Sequence, residues 1–201
     1  MFLLPNNLRT YLASLAYKDG DHPREKEYYV GRRFKVTDSK MLKKLKYLRN
    51  KKPYFNTGGP GYVLSHATLR KFLSVADDAE HCFSDETTSA EDVMMARCLD
   101  YHGITVTDTR DKLGRERFHM FMPGIQYNWD LTQKNWYTRY NADWGLKNKA
   151  DCCAPDTVSF HYAKQPAMVR HLHALLYHCD LSESLSGTAN HIHSNSSNIS
   201  S

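Results

Sequence analysis

Three glycines within the four positions Gly58-Gly59-Pro60-Gly61 constrain this 201-residue chain more than any other stretch. Without a Cβ, backbone there can approach a ligand or another segment more closely than a residue with a side chain allows. Tyr62-Val63-Leu64-Ser65 follows at once, and some thirty residues later Ser89-Ala90-Glu91-Asp92 puts an acidic pair where a new helix should begin. A glycine loop and a carboxylate at a helix start read as two walls of one site.

The chain is long enough for one substantial domain with its own core. Its 41% hydrophobic and 24% charged content are ordinary for a globular protein. Aromatics reach 12%, and thirteen of them are tyrosines. That content suits a sugar or peptide site, and tyrosine-rich β structure equally well. The net charge of +5 serves solubility or an anionic ligand such as a nucleotide diphosphate. Eight Lys/Arg within residues 35–52 read as a basic surface insertion with a solvated face, and no nucleic-acid motif accompanies it.

The five cysteines form no C-x-x-C pair, which argues against a zinc ribbon. Cys82 and Cys98 flank the acidic pair, and a bridge between them would close a short loop around it, as an oxidising compartment permits. The partners of Cys152, Cys153 and Cys179 stay open. Two sequons, at Asn195 and Asn198, fit a lumenal protein. No membrane span or signal peptide is recognisable.

The order of elements predicts an α/β domain. Residues 1–5 read as the end of a buried strand, with Asn6 or Asn7 capping a helix that carries Leu8, Leu12, Leu15 and Ala16 inward. Residues 27–34 read as one strand. Ser65 caps a helix with Leu69, Phe72, Leu73 and Ala76 on one face. Ser89 and Asp92 stand in the relation of a capping box, ahead of a helix with Val93, Ala96 and Leu99 inward and Gly103 at its end. Residues 104–107 read as a strand, 110–117 as a charged turn, 124–150 as aromatic loops, 157–162 as a strand and 166–178 as a last helix. The domain spans residues 1–180, and a Ser/Asn/His-rich tail, 181–201, is expected to be disordered.

Asp92 has two readings: the closing acid of its capping box, or a positioned carboxylate able to take a proton from a hydroxyl. Glu91 complements the helix dipole from the first turn. His161 is a hydrogen-bonded core residue or a metal ligand through a neutral imidazole nitrogen, and His119 is a weaker candidate of the same kind. Trp136 either plugs a loop into the core or offers an indole face to a sugar.

Together, Tyr29-Val30-Gly31-Arg32-Arg33-Phe34, Gly58-Gly59-Pro60-Gly61-Tyr62-Val63-Leu64-Ser65, Glu91-Asp92 with Arg97-Cys98, Asp108-Thr109-Arg110-Asp111 with Phe118-His119, and Cys152-Cys153 with Val158-Ser159-Phe160-His161-Tyr162 occur in this order. This set resembles the core 1 β1,3-galactosyltransferases, Fringe-related members of glycosyltransferase family 31, over roughly residues 2–179. The resemblance implies a GT-A-type α/β fold using Mn²⁺ and UDP-galactose, with inverting transfer of galactose to the 3-hydroxyl of GalNAc on Ser or Thr of a glycoprotein acceptor. Asp92 would be the general base and His161 the Mn²⁺ ligand, preferred to His119 because Fringe-type enzymes use a histidine in a Phe-His context. Gly58, Gly59 and Gly61 would approach the donor sugar, with Glu91 also in contact with substrate, and Trp136 and Tyr162 would shape the GalNAc pocket. The Cys82–Cys98 bridge would brace the base. A homodimer and a lumenal Golgi membrane location of the full-length protein follow from the family, without an anchor in this chain.

Family members carry a D-D-D-T segment at about the point where Met1-Phe2-Leu3-Leu4 stands. The expectation is therefore a C-terminal portion of the fold, lacking the N-terminal nucleotide-binding half and inactive as it stands. Pro60 replaces a frequent alanine, and the basic insertion at 37–52 has no family counterpart. A non-catalytic, chaperone-like relative without the D-x-D motif is the alternative function.

Overall fold

Pro5 starts the first helix. Its ring presets a helical backbone angle, and its absent N–H is one that a helix start leaves unpaired anyway. Helix α1 (Pro5–Asp19) thus follows the short strand β1 (Phe2–Leu3) without a separate asparagine cap, and Asn7 Nδ2 instead donates to the Thr157 carbonyl at 2.7 Å. The computed structural model describes residues 1–19, 24–38, 42–43, 53–82 and 90–177. Most of the basic insertion and all of the 181–201 tail lie outside the described residues. The chain divides into two compact units, Met1–Ala163 and Lys164–Ser201.

The strand expected over 27–34 is two strands. β2 (Tyr29–Gly31) and β3 (Arg33–Lys35) pair antiparallel with β5 (Tyr62–Leu64) and β4 (Tyr54–Asn56), respectively. The break falls at Arg32, whose fully buried guanidinium meets Glu116 at 2.6 Å, Asn141 Oδ1 at 2.5 Å and the Tyr137 hydroxyl at 3.2 Å. In the third sheet, β7 (Ser159–Phe160) lies between β1, antiparallel to it, and β6 (Phe118–His119), parallel to it. Leu8, Leu12 and Leu15 pack with buried Tyr11 against Val30, Phe118 and Val158, as their helical spacing predicts. At the level of class the fold is mixed α/β with small sheets.

Ser65 caps α2 (His66–Val75) by accepting the Thr68 N–H at 3.1 Å. The expected apolar face turns inward only in part: Phe72 packs on the core beside buried Thr68, while Leu69 and Leu73 are exposed. The Thr68 hydroxyl donates to the Tyr28 carbonyl at 3.0 Å on the inward side of the helix.

In α3 (Glu91–Tyr101), Val93, Ala96 and Leu99 are buried as predicted, and Gly103 follows the helix at φ +92°. The Ser89 half of the predicted capping box falls outside the described residues. Ala90 is the N-cap without a side-chain bond, and the Asp92 carboxylate binds the Gly58 and Val93 N–H groups. The strand expected over 104–107 reduces to a single parallel bridge between Thr107 and Val30.

The charged turn forms, with Asp111 Oδ1 accepting the Leu113 and Arg115 N–H groups. The aromatic stretch is more ordered than expected, holding α4 (Pro123–Tyr127), α5 (Trp136–Tyr140) and a 3₁₀ turn (Lys149–Asp151). In the second unit, α6 spans Pro166–Tyr177, close to its predicted range. Disulfides join Cys82 to Cys98 and Cys152 to its neighbour Cys153. No helix among the described residues is long and apolar enough to cross a membrane.

Candidate functional site

The glycine loop is a turn wedged between two walls. Gly61 N–H donates to the Gly58 carbonyl at 3.0 Å, and Thr57 N–H donates to the Arg32 carbonyl at 2.9 Å, so the loop leaves β4 in a set direction. Gly58 N–H donates to Asp92 Oδ2 at 2.9 Å. A Cβ at Gly58 would stand 2.7 Å from Glu91 Oε1, and one at Gly59 would stand 2.5 Å from His161 Nδ1. Neither gap admits a side chain without movement, which is the physical reason for the glycines. Gly61, at φ +80°, packs instead against the Met1 sulfur.

Five of the residues singled out from sequence thus meet here: Gly58, Gly59, Glu91, Asp92 and His161. Asp92 bonds in a way the capping reading did not foresee, with one oxygen on the Gly58 N–H and the other accepting the Val93 N–H at 2.9 Å. Each oxygen keeps a lone pair for a further donor. Glu91 is exposed, and its Oε2 accepts the Tyr62 hydroxyl at 2.9 Å. Burial first, then the bond to Glu91, pushes the Tyr62 pKa up, so this hydroxyl stays a donor.

His161 follows β7, and its N–H donates to the His119 carbonyl at 2.8 Å. Its ring lies 4.2 Å from that of Tyr162, which holds a left-handed backbone (φ +56°) uncommon for a residue with a side chain. Tyr162 stacks on Phe121 at 5.6 Å and Phe121 on Trp129 at 5.1 Å, an aromatic row that begins beside His161. Trp136 opens α5 behind an Asn135 capping box. It rests edge-on against Phe34, Tyr137 and Tyr140, yet 37% of it stays exposed, so it is both a core contact and an available aromatic surface. Phe121 touches both Trp136 and Tyr162 and links them.

His119 has a different environment. It is fully buried, stacks on Phe160 at 4.9 Å, and has Nε2 3.2 Å from Thr157 Oγ1. Burial, reinforced by the Arg32 charge, pushes its pKa down to about 3, so it stays neutral in the core. The Cys82–Cys98 bridge ties α3 to the preceding segment, where Arg97 also donates to the Glu80 carbonyl.

A divalent cation needs several hard ligands. Among the described residues no group of three or more His, Cys, Asp or Glu side chains is placed to hold a metal. The described residues alone therefore do not make a Mn²⁺ site. Sequence reading missed three parts of the site: Tyr62, Ser159, whose hydroxyl donates to the Pro60 carbonyl of the loop at 2.7 Å, and Phe121. The first two stood inside the quoted motifs, but their roles depend on contacts between distant segments.

No protein-family profile matches the chain. It is similar to glycoprotein-N-acetylgalactosamine 3-beta-galactosyltransferase 1 of Xenopus laevis, with 29% identity over 179 residues. The match covers 88% of this chain and 43% of that protein, so the chain spans less than half the length of this relative. The similarity supports a galactosyltransferase family relationship, without singling out a member.

Proposed function

We propose that this chain belongs to a core 1-type galactosyltransferase, moving galactose from UDP-galactose in β1,3 linkage to GalNAc-α-Ser/Thr of a glycoprotein. The observation that carries this reading is the glycine loop clasped between Asp92 and His161. Asp92 takes the proton from the acceptor 3-hydroxyl as its oxygen attacks the galactose anomeric carbon. The bond to the departing UDP breaks on the opposite face, which inverts the centre. The backbone N–H bonds hold the carboxylate in place without occupying all its lone pairs, as a general base requires. Glu91, held by Tyr62, accepts from a sugar hydroxyl. Trp136 and Tyr162 offer aromatic surface to GalNAc, whose C–H face packs on such rings.

Mn²⁺ bound with the diphosphate would supply charge neutralisation. His161 is proposed as one ligand to it. Two disulfides fit a lumenal, oxidising location such as the Golgi.

The test is transfer from UDP-galactose to a GalNAc-α-threonine peptide in the presence of Mn²⁺, for the chain as it stands, for the chain extended at its N-terminus by a D-x-D-bearing segment, and for Asp92→Asn in the extended form. No transfer by the chain alone and transfer by the extended form that Asp92→Asn abolishes, with the circular dichroism spectrum and Tm unchanged, support the reading. A folded chain that binds neither substrate overturns it and leaves the non-catalytic, chaperone-like alternative.

A further inference from the structure

We infer that Ser159 is the positioning residue of this site, the fixed point from which the glycine loop is held against Asp92 and His161. The inference deepens the proposed function and rests on it. The Ser159 hydroxyl donates to the Pro60 carbonyl at 2.7 Å across 99 residues of sequence, and the residue is fully buried. Its backbone cannot drift, because β7 is the middle strand of its sheet and Ser159 is in register with Leu3 on one side and Phe118 on the other. His161 stands two residues further along the same chain segment.

The loop is therefore strung between two anchors, the Asp92 carboxylate at Gly58 N–H and the Ser159 hydroxyl at Pro60 C=O. Gly59 lies between them, facing the His161 ring. Deleting the hydroxyl leaves a buried carbonyl without its donor, and the loop relieves this by moving. Any movement of Pro60 alters the Gly59–His161 approach and the Gly58–Asp92 bond together. One serine thus sets the spacing between the base and the imidazole while touching neither substrate.

The experiment is nuclear magnetic resonance on the isotope-labelled chain. It reads hydrogen exchange at the Gly58 and Gly61 amides and the His161 Cε1–H resonance in wild type, Ser159→Ala, Ser159→Thr and Thr109→Val. Thr109 is the control: its hydroxyl also donates inside the fold, to the Gly31 carbonyl at 3.0 Å, and it is 2% exposed. Ser159→Ala should speed exchange at both glycines by about tenfold or more, as expected when a local opening no longer breaks a buried bond, and should shift the His161 resonance. Ser159→Thr should restore both, and Thr109→Val should leave both unchanged. If Ser159→Ala does not fold, Ser159→Cys, with its weaker donor, takes its place in the comparison. Unchanged glycine exchange in the Ser159 variants, or an equal effect from Thr109→Val, overturns the inference. Adding UDP-galactose and the GalNAc-peptide separates it from the transferase reading. A loop that answers to Ser159 but ignores both ligands keeps the positioning role and removes the transferase one.

Discussion

The molecule holds two clusters with nearly the same chemical parts. Around the glycine loop stand a histidine, two carboxylates and a tyrosine: His161, Glu91, Asp92 and Tyr62. In the interior stand His119, Glu116, Tyr137 and the cation Arg32. The first cluster borders the half-exposed loop, and its carboxylates bind backbone and a hydroxyl. The second is desolvated: burial raises the Glu116 pKa against the pull of Arg32, lifts Tyr137 to about 12 and drives His119 down to about 3. Identical side chains are thus spent on stability in one place and remain available for chemistry in the other. Access to solvent makes the difference, since removing water penalises whichever form carries charge.

The largest effect that tests this contrast is Asp92→Asn. Turnover should drop about 10²–10⁴-fold, the usual worth of a general base, with Tm preserved; an unchanged rate in a transferase assay would return Asp92 to a structural role. The reverse pattern is expected for Arg32→Met. Glu116 would be left as a buried charge without its partner, at a cost of about 3–5 kcal/mol in urea denaturation. Part of this should return in Arg32→Met/Glu116→Leu, and full retention of stability by the single variant would place that cluster with the loop cluster rather than against it.

His119 gives the interior cluster a pH signature. His119 is depressed from 6.5 to about 3, so between these values the unfolded chain binds a proton that the folded chain does not. Stability is complete above pH 6.5 and falls as pH drops through the window, by about 1.4 kcal/mol per pH unit. Denaturation curves taken from pH 7 to 4 should show this slope, and His119→Gln should flatten it by one proton.

The smallest effects lie in the loop. Gly59→Ala meets the rigid His161 ring and should cost about 1–3 kcal/mol, whereas Gly58→Ala meets the end of the flexible Glu91 side chain and should cost about 0.5 kcal/mol. Equal losses of Tm in the two variants would show that the loop does not discriminate its walls in this way.

Much of the site was legible in linear sequence. Glycines are chosen where backbone must pass close to something, and an acidic pair at a helix start is a local signal, so both walls could be named. The helix faces were less secure. Leu69 and Leu73 have the right period but point outward, while Thr68, bonded to the Tyr28 carbonyl, and Phe72 face the core. The strand over 27–34 breaks at Arg32, which meets the Glu116 carboxylate more than eighty residues away, a pairing no local pattern encodes.

By itself, then, the order of residues determined the α/β class, the cap at Ser65, the helix that ends at Gly103 and the set of residues that could do chemistry. These are short-range matters, decided by backbone preferences and periodicity within a few turns of chain. Only the tertiary structure decided that His161 rather than His119 stands beside the loop, that Asp92 holds the Gly58 N–H, and that Ser159 reaches Pro60. Those outcomes depend on which distant groups exclude water from one another, and that is a property of the packed molecule.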